Sequence, residues 1–110
     1  MVTEEERVKN AALLEQINLK YPHVELNLEV LAEEAAEVIQ MKSKCMRFGL
    51  QDQHKSREET NCVALALELG DLLAMVDILI ANKAIKQEHV QQGYSRKMEK
   101  LEKNYAYSLN

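Results

Sequence analysis

The sequence predicts an all-α chain of four helices, folded as one domain over residues 1–110. Two observations carry this. Ala, Leu, Glu, Lys and Gln are plentiful while Gly occurs three times and Pro once, a balance that favours helix. Apolar residues recur at helical spacing in four stretches divided by breakers, with no alternating strand pattern, internal repeat, low-complexity tract or sustained heptad seam. At 110 residues there is room for a single domain. Helical hairpins of this size often need a second subunit to bury the rest of their apolar surface.

Each element has a local reason. Thr3-Glu4-Glu5-Glu6 reads as a capping box opening the first helix, with Val8, Ala12, Leu13 and Ile17 as its apolar stripe. Tyr21-Pro22 ends it, because a residue before proline avoids helical backbone angles. Asn27 reads as the cap of a second helix running to about Phe48, and Gly49 suits a left-handed C-terminal position. Leu50 to Lys55 is a polar loop, and Ser56-Arg57-Glu58-Glu59 reads as a second capping box opening a third helix that reaches about Asn82. Ala66, Gly70, Ala74 and Ala81 leave one side of that helix without bulk, open to close approach by another helix. The fourth helix spans about Gln87 to Tyr105, with Val90, Tyr94, Met98, Leu101 and Tyr105 as its apolar face and Gly93 weakening it locally.

Charge and cysteine content narrow the function classes. A net charge of −4 and a pI near 5.4 disfavour a general nucleic-acid or anionic-membrane binder, which needs a basic face. A polyphosphate substrate stays open, because bound metal would reverse the local sign at an acidic cluster. Cys45 and Cys62 form no C-x-x-C pair and read as buried reduced thiols, consistent with a reducing cytosol. The acidic start, Met1 to Glu6, is no signal or transit peptide, and the expected location is cytoplasmic. The apolar run Val63 to Ala81 approaches membrane-spanning length, but Glu68, Asp71 and Asp77 make it a core helix instead.

Two carboxylate pairs stand out, Glu34/Glu37 and Glu68/Asp71, each three residues apart. On a helix this spacing puts both carboxylates on one face about one turn apart. At ~100° per residue, Glu34 and Glu37 fall in the arc of Val30, Met41 and Cys45, and Glu68 and Asp71 fall among Ala64, Met75, Ile78 and Leu79. Carboxylates aimed at apolar neighbours are costly unless paired or bound to metal. From the residues alone, two readings stand: solvated helix surface, or a site for hard cations held between two helices. Oxygen donors without a ligating histidine would select Mg²⁺ or Mn²⁺. His23, His54 and His89 occupy no Glu-x-x-His spacing and read as surface residues. Asp77 faces ~120° away from Asp71 on the wheel, which places its partner on another helix or subunit.

Leu31-Ala-Glu-Glu-Ala-Ala-Glu-Val-Ile-Gln40, Lys44-Cys-Met-Arg-Phe-Gly49 and Glu68-Leu-Gly-Asp-Leu-Leu73 together resemble the MazG-like branch of the all-α nucleoside triphosphate pyrophosphohydrolases. The shared pattern is E-x-x-E on one helix and E-x-x-D on the next, and the likeness runs from about Asn27 to Ile80. The stretch between Glu37 and Glu68 is long for the family, which a longer Phe48–Ser56 loop would absorb. The resemblance implies an oligomeric helical bundle, a homodimer or homotetramer, with the second and third helices antiparallel across the site.

It also implies cleavage of NTPs or dNTPs between the α and β phosphates, to monophosphate and pyrophosphate. By motif position Glu34, Glu37, Glu68 and Asp71 would hold Mg²⁺, with Mn²⁺ as substitute, bridging the phosphates and acidifying the attacking water. Glu33 is the candidate for orienting or deprotonating that water, against the reading of a solvated helix residue. Lys44, Arg47, Lys97 and Lys100 are the candidate phosphate-binding cations, each with a solvated cation as the alternative. Two other functions stay open: a non-catalytic helical module for oligomerisation or partner binding, and a relative acting on dUTP, dCTP or phosphoribosyl-ATP.

Overall fold

The computed structural model describes residues 3–104. It contains four helices, α1 (Glu4–Lys20), α2 (Val24–Phe48), α3 (Asn61–Ala81) and α4 (Gln87–Lys103), with no strand among the described residues. The side chain of Val8, and Tyr105, both assigned above to apolar stripes, lie outside the described residues.

The first helix starts as its capping residues dictate: the Glu6 amide donates to the Thr3 hydroxyl at 3.2 Å. It closes with the Tyr21 amide donating to the Ile17 carbonyl at 2.8 Å, just before Pro22. Helix α2 begins at Val24, four residues earlier than an Asn27 cap would place it, and Asn27 does not cap it. Asn27 is buried within the first turns of α2, and its side-chain amide donates to the Tyr21 carbonyl at 3.2 Å. That carbonyl is left over where α1 stops, so the amide is worth more there than at a helix start open to water. Gly49 ends α2 at φ +98°, a conformation that L side chains rarely adopt.

Helix α3 begins at Asn61, four residues later than the Ser56 box predicts. The Ser56 hydroxyl is taken by His54 Nδ1 at 2.7 Å, and the Ser56 amide donates to the same ring nitrogen at 3.1 Å. The loop serves the α3 N-terminus with backbone instead: the Asn61 amide donates to the Asp52 carbonyl and the Cys62 amide to the Leu50 carbonyl, both at 2.8 Å. Asn61 is almost completely enclosed, and its side-chain amide donates to the Gly49 carbonyl at 2.9 Å.

The end of α2 meets the start of α3, where Cys45 Sγ approaches the Asn61 carbonyl at 3.6 Å. The middle of α2 faces the middle of α3 through Glu34 and Asp71. The two helices are therefore antiparallel, and theirs is the most extensive pairing in the chain. Helix α1 meets α3 to a smaller extent, and every other pair is marginal. Cys45 and Cys62 are free thiols and half-buried rather than buried, because each lies at the loop end of the α2–α3 seam.

The core of this chain is small. Met41, Ala64, Met75 and Leu79 are its buried apolar residues among those described. The radius of gyration is 16.6 Å, against about 13 Å for a compact domain of this length. The stripes expected on α1 and α4 stay open, with Leu13 at 53 % and Leu101 at 54 % exposure. On α3, Val63, Ala66, Leu67, Gly70, Leu73 and Ala74 form an exposed apolar arc opposite the side that packs on α2. No helix among the described residues is long and apolar enough to cross a membrane.

Leu79 is the most enclosed apolar side chain, at 2 % exposure. Leu79→Ala is expected to cost about 2–5 kcal/mol of unfolding free energy, read by urea denaturation; a cost below about 1 kcal/mol would contradict this placement of the core.

Candidate metal centre

The four acidic residues arrive at one place because two rigid repeats face each other. Glu34 and Glu37 project one turn apart from α2, and Glu68 and Asp71 one turn apart from α3. One carboxylate oxygen from each lies within 4.8 Å of the others. Glu34 and Glu68 are half-buried, while Glu37 and Asp71 are exposed. The cluster therefore has an inner side against the helix seam and an outer side open to solvent.

Two of its oxygens, Glu34 Oε2 and Glu68 Oε2, are buried and have no hydrogen-bond partner. Desolvation of that kind, without a donor, disfavours the ionised form. Accordingly the Glu34 carboxyl titrates above its ordinary 4.5, first through burial and then through the charges of Glu37 and Asp71. Glu68 is also raised above 4.5, first by hydrogen bonding with the Glu37 carboxyl, then by burial and by the charges of Glu37, Asp71 and Glu34. Among the described residues no cation relieves this: the one ion pair is His89–Glu88 on α4, at 3.8 Å.

A divalent cation fits the donor set. All four donors are hard oxygens, the class that suits Mg²⁺ and Mn²⁺. Opposite oxygens on a single Mg²⁺ stand about 4.2 Å apart, a little less than the 4.8 Å limit of the cluster. The two unpartnered buried oxygens are the groups that such an ion would satisfy.

Lys44, Arg47, Lys97 and Lys100, expected near the phosphates, are all exposed, and none pairs with a cluster carboxylate. Lys44 lies two turns beyond Glu37 on nearly the same face of α2. Arg47 stacks over the neighbouring Phe48 ring, 5.0 Å from its centroid. Lys97 and Lys100 ride on α4, which makes no more than marginal contact with α2. Glu33 is exposed and borders a cavity of about 320 Å³ at the α1–α2 connector, lined also by Tyr21 and His23. Asp77 is half-buried on another face of α3, in a second cavity bordered by Asn10, Gln91 and Tyr94.

Sequence reading missed Arg57, taken only as part of a capping box. Its guanidinium reaches into the α2–α3 seam, where Nη2 donates to Asn61 Oδ1 and Nη1 approaches Met41 Sδ at 3.3 Å. The signal available was weak: a lone arginine in a polar loop.

The raised Glu34 and Glu68 groups set a pH dependence. The folded state binds their protons more tightly than the unfolded state, so their contribution to stability is present at and below about pH 4.5 and is lost as pH rises through the raised values. In EDTA, the Tm of the native protein minus that of a Glu34→Gln, Glu68→Gln double variant is expected to fall as pH increases above 4.5. Mg²⁺ is expected to raise the Tm of the native protein alone at neutral pH. A difference independent of pH and of Mg²⁺ would contradict the electrostatic reading.

Comparison of the chain with protein-family models, with curated proteins and with solved structures finds no match.

Proposed function

We propose that this chain is a Mg²⁺-dependent nucleoside triphosphate pyrophosphohydrolase of the MazG-like type, producing a nucleoside monophosphate and pyrophosphate. The observation that carries the proposal is the four-carboxylate cluster on antiparallel α2 and α3, with two buried oxygens lacking any donor. The E-x-x-E and E-x-x-D motifs and their flanks supply the reaction class by resemblance.

In this reading Glu34, Glu37, Glu68 and Asp71 hold the metal. Bound Mg²⁺ would neutralise phosphate charge and make water a better nucleophile near neutral pH. Glu33, beside the first ligand and open to solvent, orients that water and takes its proton. The connector cavity at Glu33, lined also by Tyr21, is the concave surface this reading assigns to the base or sugar. Lys44, on the Glu37 side of α2, is the best placed of the four predicted cations to meet a phosphate, and Lys97 and Lys100 would reach one only through a neighbouring subunit. The protein acts in the cytoplasm on a soluble nucleotide pool.

The working unit is a homodimer or homotetramer. The exposed apolar arc of α3 and the open faces of α1 and α4 are the surfaces a second copy would cover. Leu67→Glu, in the middle of that arc, is expected to shift sedimentation at micromolar concentration from oligomer toward monomer. A native protein that sediments as a monomer would remove this part of the proposal.

The same apolar faces support a second reading, a helical module that binds partners without catalysis. Product analysis separates the two. With each common NTP and dNTP, dUTP and dCTP included, the enzyme reading predicts monophosphate and pyrophosphate that disappear with EDTA. Glu37→Gln or Asp71→Asn is expected to lower turnover about 100-fold or more. No turnover of any nucleotide, together with no effect of Mg²⁺ on Tm, favours the module.

A further inference from the structure

Arg57 is held where a loop arginine has little structural reason to be. It is half-buried, its guanidinium lies between α2 and α3, and it pairs with no carboxylate among the described residues. Its two contacts there are both neutral: the Asn61 amide oxygen and the Met41 sulfur. A guanidinium offers five N–H donors, and these two contacts use only part of that capacity.

The register of the helices locates it relative to the acidic cluster. Met41 lies four residues beyond Glu37 on α2, and Asn61 lies seven residues before Glu68 on α3. At 1.5 Å per residue those are axial steps of about 6 Å and about 10 Å. Both residues share the faces of their helices that carry the acids: Met41 and Glu34 are seven residues apart on α2, as are Asn61 and Glu68 on α3, a net rotation of only ~20°. Arg57 thus lies at the loop end of the same helix seam whose middle carries the carboxylates. The shorter of these steps, about 6 Å, is about two phosphate groups along a polyphosphate chain whose first phosphates would sit at the carboxylates.

We propose that Arg57 binds the terminal phosphates of the substrate, the part that leaves as pyrophosphate, through bidentate N–H···O bonds to one phosphate group. This rests on the hydrolase reading above and names a binding residue for it. The chemistry suits arginine: the fork matches two phosphate oxygens, and the charge offsets that of the leaving group. The neutral contacts to Asn61 and Met41 aim the fork without neutralising it, which a carboxylate partner would do. Loop 49–60, carried by the backbone bonds from Asn61 and Cys62, holds Arg57 against the α2–α3 seam.

The probe is inorganic pyrophosphate with Mg²⁺, titrated calorimetrically into the full chain, alongside Mn²⁺ alone and steady-state kinetics. Arg57→Gln is expected to weaken pyrophosphate binding about tenfold or more and to raise KM, while Mn²⁺ affinity stays within about twofold. Arg57→Lys, which keeps the charge and loses the fork, is expected to fall between the two, and it serves as the readout if the Gln variant does not fold. Pyrophosphate affinity in Arg57→Lys and any folded Arg57→Gln equal to that of the native chain overturns the proposal and leaves the hydrolase reading standing. A purely structural role would lower Tm and turnover without moving pyrophosphate affinity, and that result also overturns it. A native chain that neither binds pyrophosphate nor turns over any nucleotide overturns the hydrolase reading itself, and this proposal with it.

Discussion

The structure turns on the mutual repulsion of four carboxylates held in one seam. Helix α2 supplies Glu34 and Glu37, helix α3 supplies Glu68 and Asp71, and the pairing of the two helices forces them within 4.8 Å. The same seam supplies the buried apolar residues Met41, Ala64, Met75 and Leu79. The helices cannot separate to relieve the charge without exposing that core, and they cannot hold the core without concentrating the charge. Protonation of Glu34 and Glu68, whose carboxyls titrate above their ordinary value, is the relief available to the chain by itself. A divalent cation would be the stronger one, because it would satisfy the orphaned oxygens and offset the repulsion together.

The loop between the helices belongs to the same arrangement. Its carbonyls cap the α3 amides, Gly49 turns the chain out of α2 at positive φ, and Asn61 binds the turn back to the helix start. These contacts set the relative register of α2 and α3, and the register decides which carboxylates meet. A shift of α3 by one residue would rotate Glu68 and Asp71 by ~100° and dissolve the cluster. Packing and site chemistry are therefore one constraint, enforced mainly by backbone hydrogen bonds of an otherwise polar loop.

The acidic cluster was legible in the sequence because an i, i+3 pair on a helix has no freedom in where it points. The all-helical class was legible for a similar reason, since three Gly and one Pro leave few places to break a helix. Helix starts were less so. Asn27 and Ser56 have good capping chemistry, but each is claimed by a group that a local reading does not see, the Tyr21 carbonyl and the His54 ring. Arg57 was hidden for the same reason: its partners Met41 and Asn61 come together only once α2 and α3 pair. Lys97 and Lys100 show the converse limit, since charge and motif position carry no information about which helix packs where. The apolar stripes of α1 and α4 were visible, and in the single chain their described residues stay largely open.

Everything functional in this account follows from the carboxylate cluster being a cation site. Mn²⁺ substitutes for Mg²⁺ at hard oxygen sites and can be located directly, so anomalous diffraction from crystals grown with Mn²⁺ is the most direct test. One or two strong peaks bounded by Glu34, Glu37, Glu68 and Asp71 are expected, absent in an Asp71→Asn crystal treated identically. Crystals that diffract well, contain millimolar Mn²⁺ and show no peak among these four residues would contradict it.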